Sequence, residues 1–384
     1  MNPRLVLVGN RGCRRVGFWN AAADRLGWPA PTLVPYRELL ARPHALGEAL
    51  VPDALVRVES PAGDWETFRG LLRHGIAPSA RERFEVLDGR AIDATEYERG
   101  RIVHPRQAYL GWTRLLRELY GAATAAGVPW LHPVEDIADL FDKPRCQERL
   151  AAAGVPIPAS FGPARDYADV KARCGGEGRV MIKLAHGSGA AGCVAIHRSN
   201  GRVRALTTVA EACVNGEARM YCSKRLRCID DEGEIARIVD TLCRERVQVE
   251  RWLPKASCGG RNFDLRVVVI GGVPRHAVVR THAGVFTNLT LGGRRGDLQW
   301  VRERMGDDAW RALLATCSRA AAAFPESFTL GLDVLVRPDF RRHAVLEVNA
   351  FGDLLLGSTH RGEDTYTATL AAWAAARAPE VAAS

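Results

Sequence analysis

Three oxygen-bearing side chains in the last quarter of the chain are spaced for metal chemistry. The runs 329–336 (TLGLDVLV) and 343–350 (HAVLEVNA) read as strands, and Arg337–Arg342, with Pro338 and Asp339, supply the turn between them. A hairpin centred near Phe340 places Asp333 opposite Glu347. The two-residue period then puts Asn349 on the same face as Glu347. Acids are rare in otherwise apolar strands because uncompensated buried charge is costly. A divalent cation resolves that cost, and Mg²⁺ favours hard oxygen ligands together with nucleotide phosphates. The other reading is a pair of acids neutralised by local arginines such as Arg337.

A second set lies upstream. Residues 263–270 (FDLRVVVI) and 275–280 (RHAVVR) read as two strands joined at Gly271 and Gly272. Asp264 and Arg266 share a face of the first. Arg280 closes the second, and a one-residue slip decides whether it faces Arg266. Arginines beside a metal–phosphate site would stabilise transferred phosphoryl charge; a solvated surface pair is the alternative. A third feature is the small-residue loop His186-Gly187-Ser188-Gly189-Ala190-Ala191-Gly192 between strands 179–183 and 193–196. Free of bulky side chains, its backbone N–H groups can approach phosphate oxygens. It is not a Walker loop, which feeds a helix and ends in Gly-Lys-Ser/Thr.

The cations are biased. Of 53 Lys plus Arg, five are lysine: Lys143, Lys171, Lys183, Lys224 and Lys255. Each surviving lysine merits separate attention, because Lys and Arg differ at a tight site.

These residues need elements to hold them. Residues 4–8 (RLVLV) form a short buried strand, Gly9–Gly12 a turn too poor in glycine for a dinucleotide fingerprint, and 15–26 a helix: an α/β opening. Residues 36–130 mix helical stretches with Pro/Gly breaks. His104, Arg106 and Tyr109 either line a substrate site or belong to a polar surface. Asp142 can cap a helix opening Lys143-Pro144-Arg145 and stopped by Gly154, after which Pro156 and Pro158 enforce an extended exit. Helices are expected near 233–246 and 307–323, and a strand at 247–253.

In this order the motifs resemble the ATP-grasp superfamily, and within it the ribosomal-protein glutamate ligase (RimK-like) and glutathione-synthetase-like branch. The resemblance spans about residues 140–358. It rests on Asp142-Lys143; Gly154-Val155-Pro156-Ile157-Pro158; Lys183 with Gly187, Ser188 and Gly192; the hinge Val249–Leu253; Asp264-Leu265-Arg266; Arg280; Asn288-Leu289-Thr290-Leu291-Gly292-Gly293; and Asp333 with Glu347-Val348-Asn349-Ala350. Phe286 stands where the glutamate ligases carry an arginine.

The resemblance implies an α/β (α+β) fold: an N-terminal α/β domain at 1–138, a central lid subdomain at 139–250 and a C-terminal subdomain at 251–384, the last two gripping ATP. Lys143 and Lys183 would contact the phosphates and the adenine side. Gly187, Ser188, Gly189 and Gly192 would close over the phosphates. Glu250, Arg251, Trp252 and Leu253 would read the adenine edge through backbone groups, and Asp264 would border the nucleotide. Asp333, Glu347 and Asn349 would hold Mg²⁺, with Mn²⁺ as its substitute. Arg266, Arg280 and Asn288 would serve the transfer. The implied reaction is ATP-dependent carboxylate–amine ligation through an acyl phosphate. A kinase acting on a hydroxyl, and a nucleotide-binding protein without turnover, are the other readings.

Composition narrows the rest. In 384 residues, 47% are hydrophobic and 25% charged, as in ordinary globular proteins. No window is apolar enough for a membrane span, and the N-terminal apolar run is too short for a signal peptide, so a cytoplasmic location is expected. The ten cysteines form no Cys-x-x-Cys pair and are read as free thiols. A net charge of +9 attracts anions. It favours ATP and an acidic amino acid or peptide. Nucleic acid is not expected, because no dense Lys/Arg run occurs. Oligomeric state is not encoded in any of these features.

Overall fold

The computed structural model describes residues 2–175, 178–214, 216–351, 355 and 357–377. Among them, three sheets of three or more strands organise the chain. Strands β1 (Arg4–Gly9), β2 (Thr32–Pro35) and β3 (Ala54–Val58) form a parallel sheet in the order β2-β1-β3. Its strands are short apolar runs flanked by helices, the pattern of a sheet covered on both faces.

The second sheet has six strands in the order β4-β9-β5-β6-β7-β8. They are β4 (Ser160–Gly162), β5 (Gly178–Leu184), β6 (Val194–Ser199), β7 (Arg202–Val214), β8 (Glu217–Ile229) and β9 (Val247–Arg251). The expected strand–glycine-loop–strand unit is the antiparallel pair β5–β6. The hinge strand β9 pairs with β5, Lys183 opposite Gln248 and Met181 opposite Glu250. The long hairpin β7–β8, two strands of thirteen residues each, was not expected from the sequence.

The third sheet follows the hinge. A short strand β10 (Ser257–Cys258) leads into β11 (Arg261–Ile270), β12 (Val273–His282), β13 (Arg294–Gly296), β14 (Thr329–Val336) and β15 (His343–Asn349), in the order β13-β12-β11-β14-β15 with β10 beside β11. The β11–β12 turn is Gly271-Gly272, with φ of +55° and +77°, conformations that L side chains rarely adopt. The helix 298–322 that follows is longer than expected and kinks at Gly306.

The two largest apolar cores among the described residues hold these layers. One is continuous from β1–β3 and the helix Pro105–Ala125 to β11, β14 and β15, through residues such as Val56, Trp112, Leu265, Leu332 and Val348. The other fills the space between the central sheet and the helices Tyr167–Arg173 and Glu232–Cys243. The cleft between the second and third sheets therefore has walls backed by different cores. No described helix is long and apolar enough to cross a membrane.

Candidate active site

One wall of the cleft comes from the central sheet. The side chain of Asp142 accepts from Arg145 N and so caps the helix Lys143–Ala152, placing Lys143 at its first position. The Lys143 Nζ reaches the Gly187 carbonyl at 2.5 Å and Glu347 Oε1 at 3.1 Å. Lys183, at the end of β5, is ion-paired with Glu250 of the hinge strand. Burial alone would lower the Lys183 pKa, but Glu250 outweighs it and the net shift is upward. Glu250 is itself 2% exposed and also accepts from Gln147 Nε2 at 2.5 Å, while Gln248 joins Gln147 to Ser160. The hinge glutamate thus acts through its side chain, beyond the backbone role expected of it. Arg251, Trp252 and Leu253 line the cleft.

Gly187 and Gly189 of the loop line the cleft; Ser188 and Gly192 do not. Gly192 acts on the loop's shape. Its φ is +66°, and a Cβ there would lie 2.4 Å from Leu184 Cδ1. His186 anchors the loop's base: its ring stacks on Tyr109 at 4.0 Å and its Nε2 lies 3.2 Å from Asp142 Oδ2. Tyr109 is therefore neither a substrate contact nor surface. Arg106 is buried too, bonded to Glu82 at 2.8 Å and set over Phe84. His104 lies 3.3 Å from Glu245.

The facing wall is a ladder of alternating charge on the third sheet. Asp264 pairs across strands with Arg280, and Arg266 with Asp333. Asp264 Oδ1 accepts from Arg280 Nε at 2.8 Å, and Oδ2 from Lys255 Nζ at 2.9 Å and from the Thr287 hydroxyl. Arg280 Nη2 continues to Asp333 Oδ2 at 3.0 Å, and Arg266 binds Asp333 Oδ1. Burial would raise both carboxyl pKa values, but the surrounding cations hold them below the ordinary range. Arg280 is raised, since both aspartates outweigh its desolvation. Arg266 braces Asp333 and does not itself line the cleft, whereas Asn288 does.

Asp333 and Glu347 are direct cross-strand partners, as the hairpin predicts. Asn349 sits opposite Gly331 and donates from Nδ2 to its carbonyl at 3.2 Å. Neither acid pairs with Arg337: Arg266 and Arg280 take Asp333, and Lys143 takes Glu347. Among the described residues no group of three His, Cys, Asp or Glu gathers. The donor chemistry still fits Mg²⁺. Two hard carboxylates face each other at the cleft, and that ion normally completes its shell with phosphate oxygens and water.

Motif reasoning missed Lys255, Thr287 and Gln147. The signal for Lys255 was present, since it is one of five lysines and three of them meet at this cleft. The rest of the cleft includes an apolar slot formed by Met181, Cys193, Trp252, Val285 and Phe286.

No protein-family model and no curated protein matches the sequence. Solved structures do match over nearly full length. The ATP-grasp ligase PsnB, complexed with a minimal precursor, aligns with TM-score 0.55 and 15% identity, covering 98% of this chain and 99% of that one. The D-cycloserine synthetase DcsG aligns with TM-score 0.55 and 14% identity over 97% and 99%. A Chryseobacterium gregarium RiPP-associated ATP-grasp ligase, in complex with ADP and a leader and core peptide, aligns with TM-score 0.52 and 13% identity over 99% and 98%. These likenesses do not single out the glutamate-ligase branch. With two sheets closing on one charged cleft, they establish that this chain has the ATP-grasp fold.

Proposed function

We propose that the protein is an ATP- and Mg²⁺-dependent carboxylate–amine ligase acting on an amino acid or peptide. The observation that carries this reading is the pairing of two unlike walls. Lys143, Lys183 and the glycine loop face a buried Arg/Asp/Lys ladder across one cleft. The apolar slot suits a flat base, which hinge backbone groups can read at its edge. Lys143 and Lys183 suit the phosphates, and Gly187 and Gly189 let the loop backbone approach them. Glu347, Asp333 and Asn349 would hold Mg²⁺, which when bound neutralises phosphate charge.

Transfer then depends on position and charge. A carboxylate oxygen attacks the γ-phosphorus; the bond to the bridging oxygen breaks, and ADP leaves with the electron pair. Arg280, fixed by two aspartates, is preorganised for the equatorial oxygens. An amine next attacks the acyl carbon, phosphate leaves, and the ammonium proton is lost to solvent. Phosphate is a far better leaving group than hydroxide, and ATP is consumed to supply it. That the Chryseobacterium protein was solved with a leader and core peptide supports a peptide substrate.

The test is a count of ADP and free phosphate from Mg-ATP with pools of amino acids, short peptides and cell extract. Equal, pool-dependent release that requires an amine is expected. ADP without matching phosphate would mean a kinase, and neither product would leave nucleotide binding alone.

A further inference from the structure

Lys255 is a cleft cation that the nucleotide wall does not require. In a chain where arginine fills almost every basic position, a lysine has been kept at this point, just past the hinge. Two of its three N–H bonds are fixed, to Asp264 Oδ2 at 2.9 Å and Thr287 Oγ1 at 2.7 Å. The head group is thus held in place while the side chain lines the cleft. Lysine suits such a site because its ammonium is a compact point charge with three donors.

The charge count points to an anion. From Lys255 through Asp264, Arg280 and Asp333 to Arg266 the ladder carries three cations and two acids, one positive charge in surplus. The other two cleft lysines are already matched, Lys143 by Glu347 and Lys183 by Glu250. Burial, with Arg280 nearby, pulls the Lys255 pKa down in spite of Asp264. An arriving anion would offset that cost.

We propose that Lys255, together with Arg280, receives the carboxylate that is phosphorylated, and that this substrate group enters as an anion against the third sheet. This rests on the ligase reading above and adds the residue that selects the acid. Lys255 then touches the reacting carboxylate before transfer and the acyl-phosphate oxygen after it, while Thr287 and Asp264 are positioning residues.

The reverse half-reaction tests this without knowing the natural acid. Acetyl phosphate is the probe. With the full chain, Mg²⁺ and ADP, a β-phosphate oxygen of ADP attacks its phosphorus, the bond to acetate breaks and acetate leaves with the electron pair. The ATP formed is read by luciferase luminescence. Lys255→Met should lower kcat/KM for acetyl phosphate roughly 30-fold, the scale of one lost charged hydrogen bond. Affinity for a fluorescent ADP analogue should stay within about twofold, since Lys143, Lys183 and the glycine loop, which suit its phosphates, lie on the other wall. Lys255→Arg should recover only part of the rate, since it restores the charge but not the compact head group.

Wild-type kinetics in Lys255→Met would overturn the proposal. So would an equal loss of ADP affinity, which would make Lys255 part of the nucleotide site. If Lys255→Met fails to melt cooperatively, Thr287→Val removes one of the two bonds fixing the ammonium. It should then show the same split in milder form, and unchanged acetyl phosphate kinetics there would count equally against the proposal. A wild type that binds ADP yet makes no ATP would overturn the acyl-phosphate reading itself, so the two failures are distinguishable.

Discussion

Lys143 Nζ lies 3.1 Å from Glu347 Oε1, and this ion pair joins the two walls of the cleft. The same ammonium holds the Gly187 carbonyl, so one side chain ties the glycine loop to the strand proposed to carry Mg²⁺. Position along the chain could not reveal that link, because the partners are more than two hundred residues apart.

Replacing Glu347 with Gln keeps the shape of the side chain and removes its charge. Mg²⁺-dependent turnover should fall at least about 100-fold, as expected when a group acting on transferring phosphate is lost. The melting temperature should change little, because Glu347 is partly exposed. Phosphate release titrated against Mg²⁺, beside a thermal melt, measures both. Retained turnover would remove Glu347 from the metal site.

Lys183→Met should weaken nucleotide binding and also destabilise the fold. It leaves Glu250, whose side chain is 3% exposed, with no cation and, among the described residues, only the neutral Gln147 as a partner. Breaking a buried pair from one side costs about 3–5 kcal/mol. The double variant Lys183→Met/Glu250→Gln should regain a large part of that stability without regaining nucleotide affinity. Urea melts and equilibrium titration with the ADP analogue separate the two effects; equal stability of single and double variants would contradict the pair's isolation.

Asp333 predicts an acid limb to stability. Burial would raise its carboxyl pKa, but Arg266 and Arg280 lower it further. A depressed folded value means that its contribution is complete above the unfolded value of about 3.9 and is lost as pH falls through the folded one. The stability gap between wild type and Asp333→Asn should therefore be constant from about pH 5 to 8 and narrow below about pH 4. Urea melts at each pH measure it, and a gap that widens in acid would refute the sign.

Gly192→Ala tests the loop. The new Cβ would strike Leu184 Cδ1, and φ at +66° is strained for alanine. A cost of about 1–3 kcal/mol is expected, with weaker ADP binding because the loop must move. Gly189→Ala has a φ of +61° but meets nothing within 4 Å, so it should cost less. Melting curves and ADP titrations for both variants give the comparison.

Parts of the fold were legible because they depend on short stretches of chain. The Asp142 cap, the glycine loop between two strands and the β14–β15 hairpin each follow from a few adjacent residues. Even there, pairing within the sheet adds information. A shift between Asp333 and Val334 is what brings Asp333 opposite Glu347.

The sequence by itself determined the inventory of the cleft: its carboxylates, its glycine loop, its hinge and its rare lysines. The tertiary structure decided who meets whom. A plain two-residue turn at Gly271-Gly272 would set Arg280 opposite Phe263; the bulge at Val268/Val269 moves it opposite Asp264. Arg266 reaches Asp333 because β11 pairs with β14, a choice made by sheet order and not by turn chemistry. Lys255 joins them across a loop, and Tyr109 reaches His186 from another layer. The physical reason is the range of the forces. Periodicity, capping and turn preference act within a few residues, whereas partners for buried charges are set by which distant strands bury their apolar faces together.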